Sequence, residues 1–379
     1  TADAQRPFGV KAIAAFDEPW AMAFLPDGRL LVTEKAGRLL VVDQDGHKSR
    51  PVSGVPEVDY GGQGGLGDVA LHPEFARNRL VYLSFVETGD GNTRGAAVAR
   101  AVLELGDAGG SLTDVEVIWR QAPKVSGRGH YGHRLLFDDE GHLFISSGDR
   151  QKFDPAQDMS GNLGKIVRLH DDGSVPQDNP YYSDGGVTAQ IWSLGHRNPL
   201  GIAFDLDGQL WNIEMGPKGG DELNRVVRGN NYGYPIVSNG DHYSGREIPD
   251  HDTRPEFAAP AVWWTPVISP GGFMFYDGEL FSDWRGDGLI AGLSSESLVR
   301  VEFDGENARE AERIDMGKRM RAVIQGPDGA IWMLEDKKGG RLVRLTPMEA
   351  GDRQPAEDTQ SAYLRISMRS NRIYDDRRR

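Results

Sequence analysis

The chain of 379 residues has no cysteine, which excludes thiol catalysis and disulfide bonds and leaves the compartment open. It has no run of about 18 apolar residues, which excludes a membrane-spanning helix. Basic residues are outnumbered: 43 Lys and Arg against 57 Asp and Glu give a net charge of −14. Phosphate binding needs a basic face, so nucleic acid is excluded as the main partner. The chain opens Thr1-Ala-Asp-Ala-Gln5, with no basic-then-apolar leader. An exported protein whose signal peptide has been removed would begin in this way.

What the chain has in plenty is glycine, 49 residues, which favours tight turns over long helices. Those turns punctuate a repeat. Trp20 begins an apolar run that passes through Asp27-Gly28 into Leu30-Leu-Val. The layout returns after Gln63, after His130 (through Glu140-Gly141) and after Arg197-Asn198 (through Asp207-Gly208). It returns again after Ser269-Pro-Gly-Gly and after Arg319-Met-Arg321 (through Asp328-Gly329). Short β-rich runs joined by Asp-Gly are hairpin signals. Copies about 40–80 residues apart are at or above the period of propeller blades. The expected fold is all-β, a six-bladed propeller with four-stranded antiparallel blades over residues 1–347. Polar stretches at 149–190 and 215–260 are expected to be loops between blades, and 348–379 a charged, poorly packed tail.

The residues at the blade starts then ring the mouth of a central channel. They are Trp20, Gln63, His130, Arg197 with Asn198, and Arg319 with Arg321, with Trp263-Trp264 just upstream of the fifth start. An imidazole, an amide, cations and indoles that converge make a ligand site. His130 is either a satisfied structural histidine or a general base, since its unperturbed pKa lies near neutrality. His133 and His142 read as structural. Arg319 and Arg321, two apart on a strand, point the same way and suit an anionic ligand with carboxylates; a solvated charged face is the other reading. Gly216-Pro-Lys-Gly-Gly-Asp-Glu222 is either an ordinary turn or a loop whose carbonyls can face a hard cation.

Taken together, Gln63 in Gly-Gly-Gln-Gly-Gly-Leu, His130 before Arg134-Leu, Gly195-His-Arg-Asn-Pro, Gly216-Pro-Lys-Gly-Gly-Asp-Glu, Gly229-Asn-Asn-Tyr232 and Arg319-Met-Arg321 resemble the soluble PQQ-dependent aldose sugar dehydrogenases. These belong with the soluble quinoprotein glucose and glucose/sorbosone dehydrogenases. The resemblance covers roughly residues 8–347 and implies a six-bladed propeller. It implies oxidation of aldoses at C1 to lactones, with His130 as base and hydride passing to the quinone. By the same resemblance Gln63 binds substrate, and Arg197, Asn198, Trp264, Arg319 and Arg321 hold pyrroloquinoline quinone (PQQ). Arg197 also stabilises charge on the quinone oxygen. Gly216 and Pro217 present carbonyls near a Ca²⁺ that meets the cofactor, and Glu222 with the Tyr232 carbonyl matches a second Ca²⁺ site. The implied partners are an aldose and a separate electron acceptor, for a monomer in the periplasm or secreted.

Two positions depart from that pattern. The family's cofactor-contacting lysine falls near Ser294, in Leu293-Ser-Ser-Glu-Ser, and the aspartate before the catalytic histidine is Gly129. A metal-dependent lactonase or other hydrolase, or a non-catalytic sugar-binding propeller, are the alternative readings of the same ring.

Overall fold

The computed structural model describes residues 6–106 and 109–348. The tail expected at 348–379 lies, apart from Met348, outside the described residues. Six antiparallel sheets form in chain order, each starting at one of the repeats. Blade 1 is Pro19–Phe24, Leu30–Glu34 and Arg38–Val42, three strands where four were expected. Blades 2, 3 and 4 begin with Leu66–Leu71, Gly132–Phe137 and Pro199–Phe204, and blade 5 with Pro270–Phe275; each has four strands. Blade 6 begins with Met320–Gln325. Its fourth strand is Phe8–Asp17 from the N-terminus, paired antiparallel with Lys338–Pro347. The first strands of successive blades lie side by side, and that of blade 6 meets that of blade 1, so the ring closes on a central axis. No helix among the described residues is long and apolar enough to cross a membrane.

The second strand of a blade is buried along its whole length in five of the six blades, as in Leu143–Ser147 and Ile331–Glu335. Both its faces meet neighbours, which explains its continuous apolar run. Apolar clusters fill the space between blades. Trp332 with Met22 and Leu30 joins blades 6 and 1, and Trp211 with Phe273 and Ile290 joins blades 4 and 5.

The stretches 149–190 and 215–260 are not connections between blades. Each contains a strand, Lys165–Leu169 and Asp221–Arg225, the third of blades 3 and 4. Asp221-Glu-Leu-Asn-Arg225 carries almost no apolar signal because its buried side chains are mostly charged or polar. The long loops lie within those two blades, between strands.

Every innermost strand has a register irregularity at its N-terminal end. Pairing skips past Trp20, Gly67 with Asp68, His133 with Arg134, Leu200, Gly271 and Arg321. A bulge re-aims side chains and ends regular pairing. Trp20, His133, Leu200 and Arg321 accordingly line a chamber on the axis.

Arg134 closes that axis. From blade 3 it donates to the Leu200 carbonyl of blade 4 at 2.8 Å, to the Gly271 carbonyl of blade 5, and to the Arg321 carbonyl of blade 6 at 3.4 Å. Its guanidinium pairs with Asp68 of blade 2 at 3.4 Å and lies 3.9 Å over the Trp20 ring of blade 1. One side chain thus touches all six blades.

Candidate functional site

Two chambers open at the blade-start end of the axis. The axial chamber, about 290 Å³, takes residues from every blade, among them Trp20, Lys35, His133, Asn198, Arg319 and Arg321. The lateral chamber, about 460 Å³, is lined by His130, Arg197, Gly216, Pro217, Phe153 and Tyr243 among others. Gln63 and Met215 line both and join them. The expected single cavity is therefore a pair.

His130 is buried at φ 49°, a left-handed conformation uncommon for a side chain of this size. Among the described residues, seven of the eleven non-glycine residues with positive φ line the chambers: Glu18, His130, His133, Gln151, Phe153, Ser269 and Lys337. Such strain concentrates at functional sites. The His130 N–H donates to Gln63 Oε1 at 2.8 Å, and its Nδ1 lies 2.7 Å from Asp149 Oδ1. Asp149 is fully buried. Its Oδ1 also accepts the Gln151 N–H at 2.9 Å, and its Oδ2 the Phe153 N–H at 3.2 Å. This carboxylate orients the imidazole where Gly129 cannot. Burial holds the His130 pKa below its ordinary value, with Asp149 pulling it up and Arg197 down.

Arg197 is buried too. Its guanidinium donates to the Met215 carbonyl at 2.9 Å and the Gly216 carbonyl at 2.6 Å, while its Nε has no partner. Its backbone N–H donates to Glu214 Oε2 at 2.6 Å. Asn198 accepts the Gly132 N–H at 3.1 Å and faces the axial chamber. Arg319 and Arg321 converge on Asp336, at 3.0 and 2.9 Å. Burial opposes ionisation of Asp336, but the Arg321 and Arg319 charges outweigh it and hold its carboxyl below the usual range. His133, read as structural, lines the axial chamber instead. Its Nδ1 is buried with no partner, and burial pulls its pKa down to about 3.

Trp264 is not brought to the ring. It sits on Val262–Trp264, the outermost strand of blade 4, where its Nε1 donates to Glu310 at 2.6 Å and its indole packs with Trp211 and Val299. Alternation along the strand sends Trp263 to solvent. Adjacency in sequence to the fifth blade start is not adjacency to the axis, because the fourth strand of a blade lies furthest from it.

For a hard cation, the Gly216–Pro217 turn offers backbone carbonyls, one of them shared with Arg197. Asp221 fixes this turn by accepting the Gly216 N–H at 2.8 Å and the Ser269 N–H at 2.7 Å; burial pushes its pKa up to about 6. Two neutral oxygens fall short of the six to eight that Ca²⁺ takes. Glu222 and Tyr232 line neither chamber. Glu222 is buried beside Glu214, and burial, then the Glu214 charge, push its pKa up. Near it Asn212 Oδ1 and Asn224 Oδ1 are buried acceptors without partners. The Tyr232 ring stacks 4.8 Å from His196, whose Nδ1 pairs with Glu214 at 2.9 Å. Acidic and amide oxygens with unmet capacity suit a cation. Among the described residues no group of three His, Asp or Glu converges as a ready metal site.

Sequence reasoning missed Asp149, Glu214, Asp221 and Asp336. A usable signal exists for three of them. The second apolar run of a repeat ends in or just before an acid in four copies, at Glu34, Asp149, Glu214 and Glu335-Asp336.

A family model described as glucose/sorbosone dehydrogenase matches residues 16–344. The chain is 40% identical over 339 residues to the aldose sugar dehydrogenase YliI of Escherichia coli K12, covering 87% of this chain and 90% of that protein. The solved apo-form of the soluble E. coli aldose sugar dehydrogenase matches with a TM-score of 0.85 and 38% identity, over 90% of this chain and 100% of that one. The PQQ-bound aldose sugar dehydrogenase of Streptomyces coelicolor matches with a TM-score of 0.73 and 27% identity, over 89% and 98%.

Proposed function

This chain belongs to the glucose/sorbosone dehydrogenase family, and from that premise we propose that it oxidises aldose sugars at C1 to lactones with PQQ and calcium. The observation that carries the reading is the buried Asp149–His130 pair beside Arg197 and Gln63, at the junction of a cationic chamber with a second, open one. The axial chamber fits a planar polycarboxylate: Arg319, Arg321, Lys35 and Asn198 line it, and the unpartnered His133 Nδ1 lies in its wall. The likeness to a PQQ-bound enzyme supports the same cofactor. PQQ bound there would supply the electrophilic carbonyl that accepts hydride from the sugar.

The chain's own residues do the rest. Asp149 accepts a hydrogen bond from the Nδ1–H of His130, which leaves Nε2 with its lone pair to accept the proton of the C1 hydroxyl. With its pKa held down by burial, the imidazole is neutral and ready at pH 7. Gln63 spends its carbonyl oxygen on the His130 N–H, so its amide donors are left for a sugar hydroxyl. Arg197 is clamped by two carbonyls and brings a fixed positive charge to the place where negative charge grows. The Gly216 and Pro217 carbonyls would hold Ca²⁺ only in part, the remaining ligands coming from the quinone and water. Glu222 and the Tyr232 carbonyl would hold a second, structural ion. The location is proposed as periplasmic or secreted, by likeness to these enzymes, and a separate acceptor would reoxidise the cofactor.

The test is reconstitution of the apo-protein with PQQ and Ca²⁺, followed by dye reduction with a panel of aldoses. No activity with any sugar and no absorbance change on adding the cofactor would sink the proposal. His130→Ala is expected to lose about 10²–10⁴-fold in turnover with the cofactor still bound by absorbance. Near-normal turnover in that variant would remove His130 from the role of base.

A further inference from the structure

The axial chamber holds more positive charge than its own carboxylates balance. Lys35, Arg319, Arg321 and the exposed Lys337 face Glu18 and Asp336. Asp336 is committed to the two arginines. Glu18 accepts the Tyr60 hydroxyl and lies 3.8 Å from the Lys35 ammonium, beyond hydrogen-bond reach. The Lys35 ammonium donates one hydrogen bond, to the Gly62 carbonyl at 2.8 Å. An ammonium has three donors, so two are left over. Its side chain is only 14% exposed, so water and salt screen it poorly. Burial weakens its hold on the proton and the Arg321 charge adds to this, while the Glu18 and Asp336 charges oppose it; an incoming anion would strengthen that hold further.

The fold explains how a cation here can stand in for one elsewhere. Lys35 follows Leu30–Glu34, in the turn between the second and third strands of blade 1. Ser294 lies in the equivalent turn of blade 5, between Gly288–Gly292 and Ser297–Asp304. In a ring of like blades, a ligand on the axis can be reached from the same turn of any blade. Ser294 has no charge to offer, and its hydroxyl is spent on Ser269 Oγ at 2.8 Å.

We propose that Lys35 binds a carboxylate of the quinone cofactor in the axial chamber, supplying from blade 1 the ammonium that blade 5 lacks at Ser294. The inference rests on the reading of that chamber as the cofactor site. Through Gly62 the same ammonium is tied to the turn that carries Gln63, so cofactor binding and the placing of the substrate amide are coupled.

The experiment is a binding titration of the apo-protein, read by PQQ absorbance and tryptophan fluorescence, with no turnover required. PQQ is compared with its trimethyl ester, which lacks the carboxylates, on wild type, Lys35→Met and Lys11→Met. Lys35→Met is expected to weaken PQQ binding about tenfold to a hundredfold and ester binding far less. Lys11→Met, exposed on the N-terminal strand and outside both chambers, should change either by less than about fivefold. Lys35→Met binding PQQ as tightly as wild type would overturn the inference. So would an equal loss for PQQ and ester, which marks a packing role. A wild type that fails to bind PQQ at all would instead bring down the reading of the chamber itself, before Lys35 enters the comparison.

Discussion

Asp149 decides which nitrogen of His130 is available. It follows the second strand of blade 3, while His130 precedes the first, so the pair forms only when that hairpin closes. In the proposed reaction the base must be neutral. Burial holds the His130 pKa below the ordinary 6.5, so kcat/KM should fall only on the acid side of about pH 6.5. Asp149 acts in the opposite sense to burial and raises that pKa. Asp149→Asn should therefore move the acid limb further down and cut kcat by about 10²–10⁴-fold, with PQQ affinity kept. A pH–rate profile checks this. A limb that moves upward, or a kcat left intact, would show that Asp149 neither orients nor tunes the imidazole. The partnership is invisible in sequence, since nothing in Ser147-Gly148-Asp149 says which residue it meets. The blade-start residues are legible for the opposite reason: each sits at a fixed offset from a hairpin signal.

At the scale of the element, the loop after the second strand of blade 3 carries Asp149, Gln151 and Phe153 and is pinned from below by Lys165. This lysine is fully buried on the third strand and donates to the carbonyls of Pro155, Ala156 and Leu163 at 2.7, 3.1 and 2.8 Å. Burial without a carboxylate in contact pulls its pKa down to about 7. Lys165→Met should remove the shared donor, leave the three carbonyls unsatisfied, and lower stability by about 2–4 kcal/mol. A urea titration measures it, and an unchanged midpoint would mean that water replaces the ammonium freely. This strand also shows where reading by pattern stops. Lys165–Leu169 and Asp221–Arg225 bury charge, so hydrophobic periodicity passes over both as loop, while the turns that define the first two strands of every blade stand out.

At the scale of the molecule, six repeats imply a ring, but the way it closes is not written in any one of them. The N-terminal strand completes the last blade, pairing Phe8 with Pro347 and Asp17 with Lys338. The two ends of the propeller are thereby held by backbone hydrogen bonds, and the first blade is left with three strands. Trp264 is the matching failure in the site: a residue close to a blade start in sequence lies on an outer strand in space.

Arg134, which spans the axis and contacts every blade, has a consequence for the order of events. Beyond it lies a separate small pocket of about 160 Å³, walled by Met22, Leu135, Ile202 and Val323 among others. Arg134 stands between that pocket and the two chambers at the blade-start end. In the proposed reaction sugar, lactone and electron acceptor would all enter from the blade-start end, by the doorway between the chambers at Gln63 and Met215, and whichever occupied it would exclude the others. Turnover on the proposed chemistry should then run as double displacement. Reciprocal rate plots against sugar at several acceptor concentrations should be parallel, with each substrate inhibiting when in excess by standing in the doorway. Intersecting lines would mean that the acceptor reaches the cofactor by another route.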